Sequence, residues 1–448
     1  MRVLKSRWAV AGIAVLAVGL IALVLAGGED STTGGEDEPP VATASESSGS
    51  TDDFIADLQD RLREDPENFP LHIDLANAYL QKVRENGDSS LYTNTEELLD
   101  RAEEIEPGHP ELLATSGILA LARHEFAEAR DLGREALAQE PGTARYHGII
   151  GDAEVELGMY EEAVGSYQQM VDLRPDFDSF SRVAHARELH GDPDGAIEAL
   201  ESTIGTGTAT GENTAWAYVQ LGNLQFTVGD LEEATMEYER SLNAFPDYPL
   251  ALAGQARVAA ARGELQDAAA LYEEAFNRMP LAEHAIALGD VYAAMGEEQR
   301  ATEQYELVQG IDQLFQADGM NTDLETALFF ADQDLEPETS LEKARAAYEA
   351  RPSIHAADVL AWNLYKTGDP EEAEQYADEA LVLGTRDPVK LFHAGMISSE
   401  LGRDEQAIQY LREALELNPQ FSILHSDTAA AELEELEKRA ANSGSEKE

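Results

Sequence analysis

A period of 34 residues constrains this chain more than any other feature of its sequence. Pro107, Pro141 and Pro175 are spaced 34 residues apart, and Pro246 and Pro280 repeat the interval. Small residues keep the same spacing in three further pairs, namely Ala129 and Ala163, Ala234 and Ala268, and Ala373 and Ala407. Self-similarity at a period of this length is typical of repeat architectures, in which each unit is one supersecondary structure.

The stretch 214–246 shows what one unit contains. Tyr218, Leu221 and Gly222 lie on one helical face, and Gly229-Asp230 then interrupts that helix. The buried face of a second helix follows at Ala234, Tyr238, Ser241 and Leu242, and Pro246 ends it. Such a helical hairpin cannot bury its apolar faces alone, so the sequence predicts a stack of hairpins.

These recurring residues resemble the tetratricopeptide repeat family. The resemblance is carried by glycines that precede an alanine by five residues, by leucine–small pairs, by tyrosines and by closing prolines. They include Leu221-Gly222, Leu288-Gly289, Tyr79, Tyr167, Tyr238, Tyr272, Tyr292, Tyr305 and Pro419. The resemblance implies an all-α fold, a right-handed TPR-like α-solenoid of about ten helical hairpins in which each repeat touches only its neighbours.

The composition divides the chain into successive segments. A basic flank (1–7) and an uncharged segment (8–26) precede a linker (27–51) rich in Gly, Ser, Thr, Glu and Pro, which we expect to be disordered. The repeats cover 52–419, with a degenerate repeat at 310–352. We expect a capping helix at 420–441 and a disordered tail at 442–448.

The N-terminal segment has the composition of a membrane anchor. Arg2, Lys5 and Arg7 precede the uncharged run from Trp8 to Ala26, which as a helix spans about 28 Å. A cleaved signal peptide is the alternative interpretation. In both cases the basic flank stays in the cytoplasm. We therefore expect a single-pass protein of the cell membrane, with its repeats on the extracytoplasmic side.

The charge of the chain excludes one class of partner and favours another. The formal net charge is −57, from 88 acidic and 31 basic residues. Nucleic acid needs a cationic surface, so it is excluded as a partner, and we expect a basic or apolar-and-basic protein or peptide. We interpret the acidity as an adaptation to concentrated salt, with an ordinary acidic protein as the alternative. The chain has no cysteine, which excludes disulfides and thiolate metal sites.

Motifs for chemistry are incomplete throughout. The glycines of 205–211 lack the strand and lysine of a phosphate loop. His185, Glu188 and His190 do not have the spacing of a two-histidine metal site. We therefore predict no enzymatic activity, no cofactor and no metal. The alternative is a small-ligand or metal-binding receptor, or an enzyme, that uses the acidic residues Asp323, Asp332 and Asp334 within 318–336.

The resemblance to the family implies that the first helices of successive hairpins line a concave groove. Aromatic residues and methionine on such a face are typical anchors for a bound protein. The predicted groove residues are Trp216, Val219, Asn223, Phe226, Phe329, His355, Asp358, Trp362, Tyr365, Phe392 and Met396. The alternative interpretation is that these side chains form the core of the stack.

The sequence thus predicts a membrane-tethered, exported scaffold that binds proteins or peptides in its groove and helps to assemble or organise an envelope complex. A single anchor followed by exported repeats is also similar to the layout of bacterial assembly factors for cytochrome c and for secretion or surface-polymer machinery. A purely architectural role is a further alternative, under which the groove aromatics are dispensable.

Overall fold

The fold is entirely helical in the part of the chain that the computed structural model describes, residues 50–205 and 211–445. Those residues contain 22 helices and no strand, which confirms the predicted all-α class. The helices are α1 (Thr51–Glu64), α2 (Phe69–Asn86), α3 (Ser90–Ile105), α4 (Pro110–Ala122), α5 (Phe126–Gln139), α6 (Ala144–Glu156), α7 (Tyr160–Leu173), α8 (Phe177–Leu189), α9 (Pro193–Gly205), α10 (Glu212–Thr227), α11 (Leu231–Ala244), α12 (Pro249–Ala261), α13 (Leu265–Arg278), α14 (Ala282–Ala294), α15 (Glu298–Ala317), α16 (Asp323–Asp332), α17 (Pro337–Ala350), α18 (Ile354–Lys366), α19 (Pro370–Ala380), α20 (Pro388–Glu400), α21 (Asp404–Leu417) and α22 (Ser426–Ser445).

Helices α2 to α21 form ten consecutive hairpins, which we number in chain order from hairpin 1 (α2 and α3) to hairpin 10 (α20 and α21). Each hairpin packs on the next, as in a solenoid. Helix α1 packs on the first hairpin and α22 on the last. The 34-residue period is therefore the length of one hairpin with its connections.

The turn inside a hairpin depends on glycine with a left-handed backbone. Gly158 follows α6 with φ of 70°, and Gly229 follows α10 with φ of 83°. Glycine adopts this conformation without the steric cost that a Cβ atom imposes. The side chain of Asp230 then accepts a hydrogen bond from the backbone N–H of Glu233 at 3.0 Å and caps α11.

The small residues at the repeating positions allow helices to approach a tyrosine closely. The Tyr238 ring is fully buried. A Cβ atom added to Gly222 would lie 2.5 Å from that ring, and one added to Gly254 would lie 2.3 Å from it. These two glycines therefore mark the places where α10 and α12 pack on the second helix of hairpin 5.

The chain also makes contacts between hairpins that are far apart in sequence. The turn inside hairpins 2, 3, 4 and 5 meets the connection that follows the hairpin five positions later. The contacts are His124 Nδ1 with the Asn321 carbonyl at 2.7 Å, the Ile354 N–H donating to the Tyr160 hydroxyl at 2.6 Å, Gly191 against Gly384, and Asn418 Nδ2 donating to the Phe226 carbonyl at 2.7 Å. The three hydrogen bonds join residues 197, 194 and 192 positions apart.

This regular offset shows that the solenoid winds round once in about five hairpins and then stacks on itself. We call hairpins 1–5 the first turn and hairpins 6–10 the second turn. An ion pair reinforces the stacking, since Arg351 of the second turn lies 3.7 Å from Glu156 of the first turn. Arg351 also lies 2.8 Å from Glu325, which belongs to the second turn. The expectation that each repeat touches only its neighbours is therefore wrong.

Buried polar pairs run along the first helices of successive hairpins. Arg182 on α8 donates from Nε and Nη2 to both carboxylate oxygens of Asp152 on α6, at 2.8–3.2 Å. Further along, Arg257 Nη2 donates to the side-chain oxygen of Asn223 at 2.6 Å, and both side chains are partly buried. Buried charges of this kind are tolerated only with partners, so these pairs fix how one hairpin sits on the next.

One buried carboxyl group lacks such a complete set of partners. Asp178 on α8 is buried, and its Oδ1 has no hydrogen-bond partner among the described residues. Burial, followed by the neighbouring charge of Asp176, raises the pKa of the Asp178 carboxyl to about 8. The folded protein therefore holds a proton there at neutral pH, whereas the unfolded chain, with a carboxyl pKa of about 3.9, does not.

We expect the Asp178→Asn variant to be more stable than wild type at pH 8 and less sensitive to pH between 6.5 and 8. At Asp178 the folded state binds one proton more than the unfolded state in this window, so this carboxyl group lowers the stability as pH rises, by at most about 1.4 kcal/mol per pH unit. Burial lowers the pKa of the His124 and His284 imidazoles to about 4. These two groups make stability rise with pH, but only below about pH 6.5. Urea unfolding of both proteins between pH 6.5 and 8 measures how the free energy of unfolding of each depends on pH.

The control for this prediction is Asp172→Asn, because Asp172 is exposed on α7. That variant should keep the wild-type pH profile. An Asp178→Asn profile parallel to that of wild type would show that this carboxyl group is ionised in the folded protein.

Several predicted segments fall at the ends of the chain. The predicted anchor (8–26) and nearly all of the linker (27–51) lie outside the described residues. Within residues 50–205 and 211–445, no helix combines the length and apolar character needed to cross a bilayer. At the other end, α22 begins at Ser426 and continues to Ser445, so it includes residues that were expected to form a disordered tail. In the predicted degenerate repeat, hairpin 8 begins at Asp323 after the 20-residue helix α15.

Candidate binding cavity

A cavity of about 200 Å³ lies inside the superhelix and is lined by both turns. Helices α8, α10, α12 and α14, which are first helices of consecutive hairpins, contribute part of the lining. Residues 385–387 before hairpin 10, the first two residues of α20 and residues 420–423 after hairpin 10 contribute another part. The cavity therefore exists because the second turn stacks on the first.

Four buried polar atoms on residues that line this cavity have no hydrogen-bond partner among the described residues. They are His185 Nε2, Trp216 Nε1, Arg257 Nε and His355 Nδ1. A buried polar atom without a partner costs about 1–3 kcal/mol, and most proteins leave few of them. All four atoms belong to residues of one cavity lining, so the unpartnered polar atoms are concentrated around it.

The electrostatics of the cavity differ from those of the whole chain. Its lining contains three carboxyl groups, on Glu188, Asp290 and Asp387, and two guanidinium groups, on Arg257 and Arg386. Burial raises the pKa of the Asp290 carboxyl well above its ordinary value, which favours its neutral form. Asp387 is neutralised by Lys390, whose Nζ lies 2.6 Å away. The cavity is thus close to neutral although the chain carries a net charge of −57.

His355 is uncharged in this environment. Burial, and then the positive charge of Lys390, lowers the pKa of its imidazole well below the ordinary value. A neutral imidazole has one donor and one acceptor nitrogen, so Nδ1 can play either role towards a guest.

The structure brings some of the predicted groove residues together in the cavity. Trp216, Asn223, Phe226 and His355 line it. Asp358 lines a second cavity of about 130 Å³, which His355 also borders. Trp362, Tyr365, Phe392 and Met396 belong to the hydrophobic core around hairpins 8 to 10. The predicted set is therefore divided among two cavities and the core.

The predicted residues do not form an open groove in this conformation. Seven of the eleven are buried, namely Trp216, Val219, Phe226, Phe329, Asp358, Trp362 and Phe392, and the other four are half-buried. Contacts between the two turns and with the following hairpin cover the face that a single row of repeats leaves open. Binding of a protein or peptide at these residues stays a prediction. Such a partner would have to enter the interior of the superhelix to contact them.

The acidic residues of the alternative site do not converge. Asp323 binds Lys343 at 2.7 Å, and Asp334 binds Lys366 at 2.6 Å. Asp332 is buried and accepts a hydrogen bond from Trp362 Nε1 at 2.8 Å. Because each carboxylate has a different partner, the structure gives no support to a joint acidic site of these three residues.

The reasoning from sequence missed the buried polar residues of the inner helices. The missed residues Asp152 and Asp290 each follow a glycine at which a Cβ atom would meet a tyrosine ring, as does Asn223, which was predicted as a groove residue. A polar residue directly after the small residue of the helix pair was the available signal. It was overlooked because a helix position next to the core is expected to be apolar.

Comparisons with known proteins place these helices in a family. Family models described as tetratricopeptide repeat match residues 115–176, 219–280, 353–386 and 391–421. The matched segments fall on hairpins of both turns. A solved structure of a tetratricopeptide repeat protein from Parabacteroides merdae is 17% identical, with 55% of this chain and 97% of that chain aligned at a TM-score of 0.40.

Two curated proteins share part of the sequence. Cellulose synthase operon protein C of Pseudomonas fluorescens (strain SBW25) is 25% identical over 159 residues, which are 34% of this chain and 12% of that protein. The CTR9 homolog of Arabidopsis thaliana is 27% identical over 186 residues, which are 40% of this chain and 16% of that protein. The match thus spans only a small part of the length of each relative.

Proposed function

Because the chain belongs to the tetratricopeptide repeat family, we propose that it is a scaffold without catalytic activity whose central cavity holds a segment of a partner protein. Proteins built from these repeats generally bind other proteins. The observation that carries the proposal is the set of four unpartnered polar atoms on His185, Trp216, Arg257 and His355. A bound segment that reaches these atoms would give them partners and remove the cost of their burial.

The size and chemistry of the cavity favour a protein segment over a small molecule. Its volume of about 200 Å³ is below the roughly 300–1,000 Å³ of typical small-molecule sites. It suits the insertion of one or two side chains. Trp216 Nε1 and Arg257 Nε can only donate, whereas the imidazole nitrogens can donate or accept. An amide or hydroxyl group of the partner complements this set.

The charge of the surrounding protein supports a basic partner. A net charge of −57 attracts cationic segments over a long range and repels acidic ones. The nearly neutral cavity suits the apolar part of the same segment. We therefore propose an apolar-and-basic segment, with its apolar anchor in the cavity and its basic residues on the acidic surface.

The cellular context of the proposal rests on the sequence. The basic flank and the apolar run from Trp8 to Ala26 support a membrane anchor with the repeats on the extracytoplasmic side. A scaffold in that position would assist the assembly or organisation of an envelope complex. Removal of residues 1–26 should release the protein from membranes, which fractionation can measure.

The cavity is tested by filling it. Ala287 on α14 lines the cavity, and we expect Ala287→Leu to weaken partner capture at least about tenfold, because the new side chain occupies the space of the anchor. The measurement is crosslinking of the full chain in native membranes at native salt, followed by quantification of the captured protein.

The matched control is Ala293→Leu. Ala293 lies on the same helix, is also half-buried and packs against the same hydrophobic cluster as Ala287, but it does not line the cavity. Both variants should keep the helical circular dichroism of wild type. Equal capture by the two variants would show that the partner binds elsewhere on the protein.

A further inference from the structure

Three buried side chains of hairpins 8 and 10 and of the segment after hairpin 10 lie close together. They are Asp332, His393 and His425, of which 2%, 0% and 6% of the surface is exposed. Their candidate ligand atoms all lie within 4.8 Å of one another. Asp332 Oδ2, His393 Nε2 and His425 Nε2 are buried and have no hydrogen-bond partner among the described residues.

The three residues come from different elements of the solenoid. Asp332 is the last residue of α16, His393 lies in α20, and His425 directly precedes α22. Trp362 on α18 packs beside them, since its ring stacks on the His393 ring with centroids 4.2 Å apart. The positions 332, 362, 393 and 425 are spaced by about one repeat, so the stacking of hairpins brings them into one row.

The remaining polar atoms around this cluster are held in place by hydrogen bonds. His393 Nδ1 lies 3.0 Å from Asp358 Oδ1, and Asp332 Oδ1 accepts a hydrogen bond from Trp362 Nε1. A carboxylate on one nitrogen of an imidazole orients the other nitrogen and makes it more basic, an arrangement that commonly supports metal-binding histidines. Here it directs His393 Nε2 towards the cluster.

Direct hydrogen bonds between the three residues do not account for the cluster. His425 Nε2 is 3.6 Å from Asp332 Oδ1, which is beyond the length of a hydrogen bond. The burial of three polar atoms therefore remains uncompensated unless another atom lies among them.

We propose that Asp332, His393 and His425 bind one divalent transition-metal ion, which fastens α22 to α16 and α20. Two imidazoles and one carboxylate suit Zn²⁺, whereas Ca²⁺ and Mg²⁺ prefer sites made of oxygen ligands alone. A water molecule completes the four ligands that Zn²⁺ takes in proteins. Asp358 acts as a positioning residue through His393. This role is independent of the binding cavity, which these three residues do not line.

The first test is Zn²⁺ binding by the full chain, after treatment with a chelator and in excess Mg²⁺ to saturate weak sites on the acidic surface. We expect one Zn²⁺ per chain by elemental analysis, and loss of this ion in His393→Asn and His425→Asn. The control is His284→Asn, because His284 is also buried, at 3% exposure, but its Nδ1 lies 2.9 Å from the Met279 carbonyl and outside the cluster. It should retain the ion.

Two further measurements apply if a histidine variant does not fold. Asp358→Asn leaves the three ligands in place and should weaken Zn²⁺ binding by about 10–100-fold. In wild type, Zn²⁺ at about 100 times its dissociation constant should slow hydrogen exchange in α22 by up to about 100-fold, because the ion binds only the closed state. Helix α3, far from the cluster in sequence, provides the internal reference.

The proposal is overturned by any of three results. The first is the absence of a stoichiometric Zn²⁺ ion in wild type, and the second is equal Zn²⁺ binding by the His284→Asn and His393→Asn variants. The third is that crystals grown with Zn²⁺ show a water molecule between the three side chains and no anomalous scattering peak. A peak between the three side chains supports it directly.

Discussion

The Arg182→Met variant is expected to lose about 3–5 kcal/mol of stability in hairpins 3 and 4, because it leaves the carboxylate of Asp152 buried without a cation. Only 3% of the Arg182 side chain and none of the Asp152 side chain is exposed. Two guanidinium nitrogens bind both carboxylate oxygens, and Tyr167 donates a further hydrogen bond at 2.9 Å. Methionine keeps much of the length of arginine but supplies neither charge nor donor.

Hydrogen exchange resolved by peptide is the appropriate measurement, since a stack of repeats can unfold in parts and a single unfolding free energy would average over them. Exchange should accelerate in α6 to α9 and much less in the second turn. Urea unfolding should show a lower midpoint for the first transition.

Two controls separate the buried charge from the loss of a side chain. The double variant Asp152→Leu with Arg182→Met should recover most of the loss, because replacing both members of a buried pair is often nearly neutral. Arg278→Met removes an exposed pair with Asp247 and should cost at most about 1 kcal/mol. If Arg182→Met were no worse than Arg278→Met, Asp152 would be accessible to water in solution.

The Gly191→Ala variant is expected to separate the two turns of the superhelix. Gly191 has φ of 71°. A Cβ atom there would lie 2.1 Å from the carbonyl oxygen of Gly384, far inside the closest distance that such atoms reach. The Gly191 backbone fixes the position of the Cβ atom, and the oxygen belongs to the Gly384 backbone, so no side-chain rotation relieves the clash. The second turn must move away from the first, which also opens the central cavity.

Gly296→Ala isolates this effect from backbone strain. Gly296 has φ of 76°, and a Cβ atom added to it would meet no atom within 4 Å. Both variants bear the cost of a left-handed alanine, about 1–2 kcal/mol. Small-angle scattering should show a larger radius of gyration for Gly191→Ala than for Gly296→Ala, and exchange near Gly384 should be faster. Identical scattering curves would mean that the turns do not stack in solution.

The repeat unit is the part of this protein that could be predicted well from its sequence. Helix-breaking glycines, closing prolines and small residues opposite tyrosines act over one hairpin, and each is a local requirement of backbone conformation or packing. Gly222 illustrates this, because any side chain there would collide with Tyr238 within the same hairpin. The family resemblance rests on the same short-range pattern.

The candidate site was predicted less well. Trp216 and His355 were predicted to line one groove, and the structure brings both into the lining of one cavity, with Trp216 buried and His355 half-buried. Asp332 was grouped with its sequence neighbours Asp323 and Asp334, whereas it lies with His393 and His425. Spacing along one helix cannot show which residues meet across repeats.

The sequence by itself determined the hairpin, its length and its repetition, because these depend on interactions within about 34 residues. Only the tertiary structure decided that the second turn stacks on the first. That contact joins residues more than 190 positions apart and depends on small rotations that accumulate over five hairpins. The cavity, its unpartnered donors and the row of Asp332, His393 and His425 all result from this geometry, which no local pattern encodes.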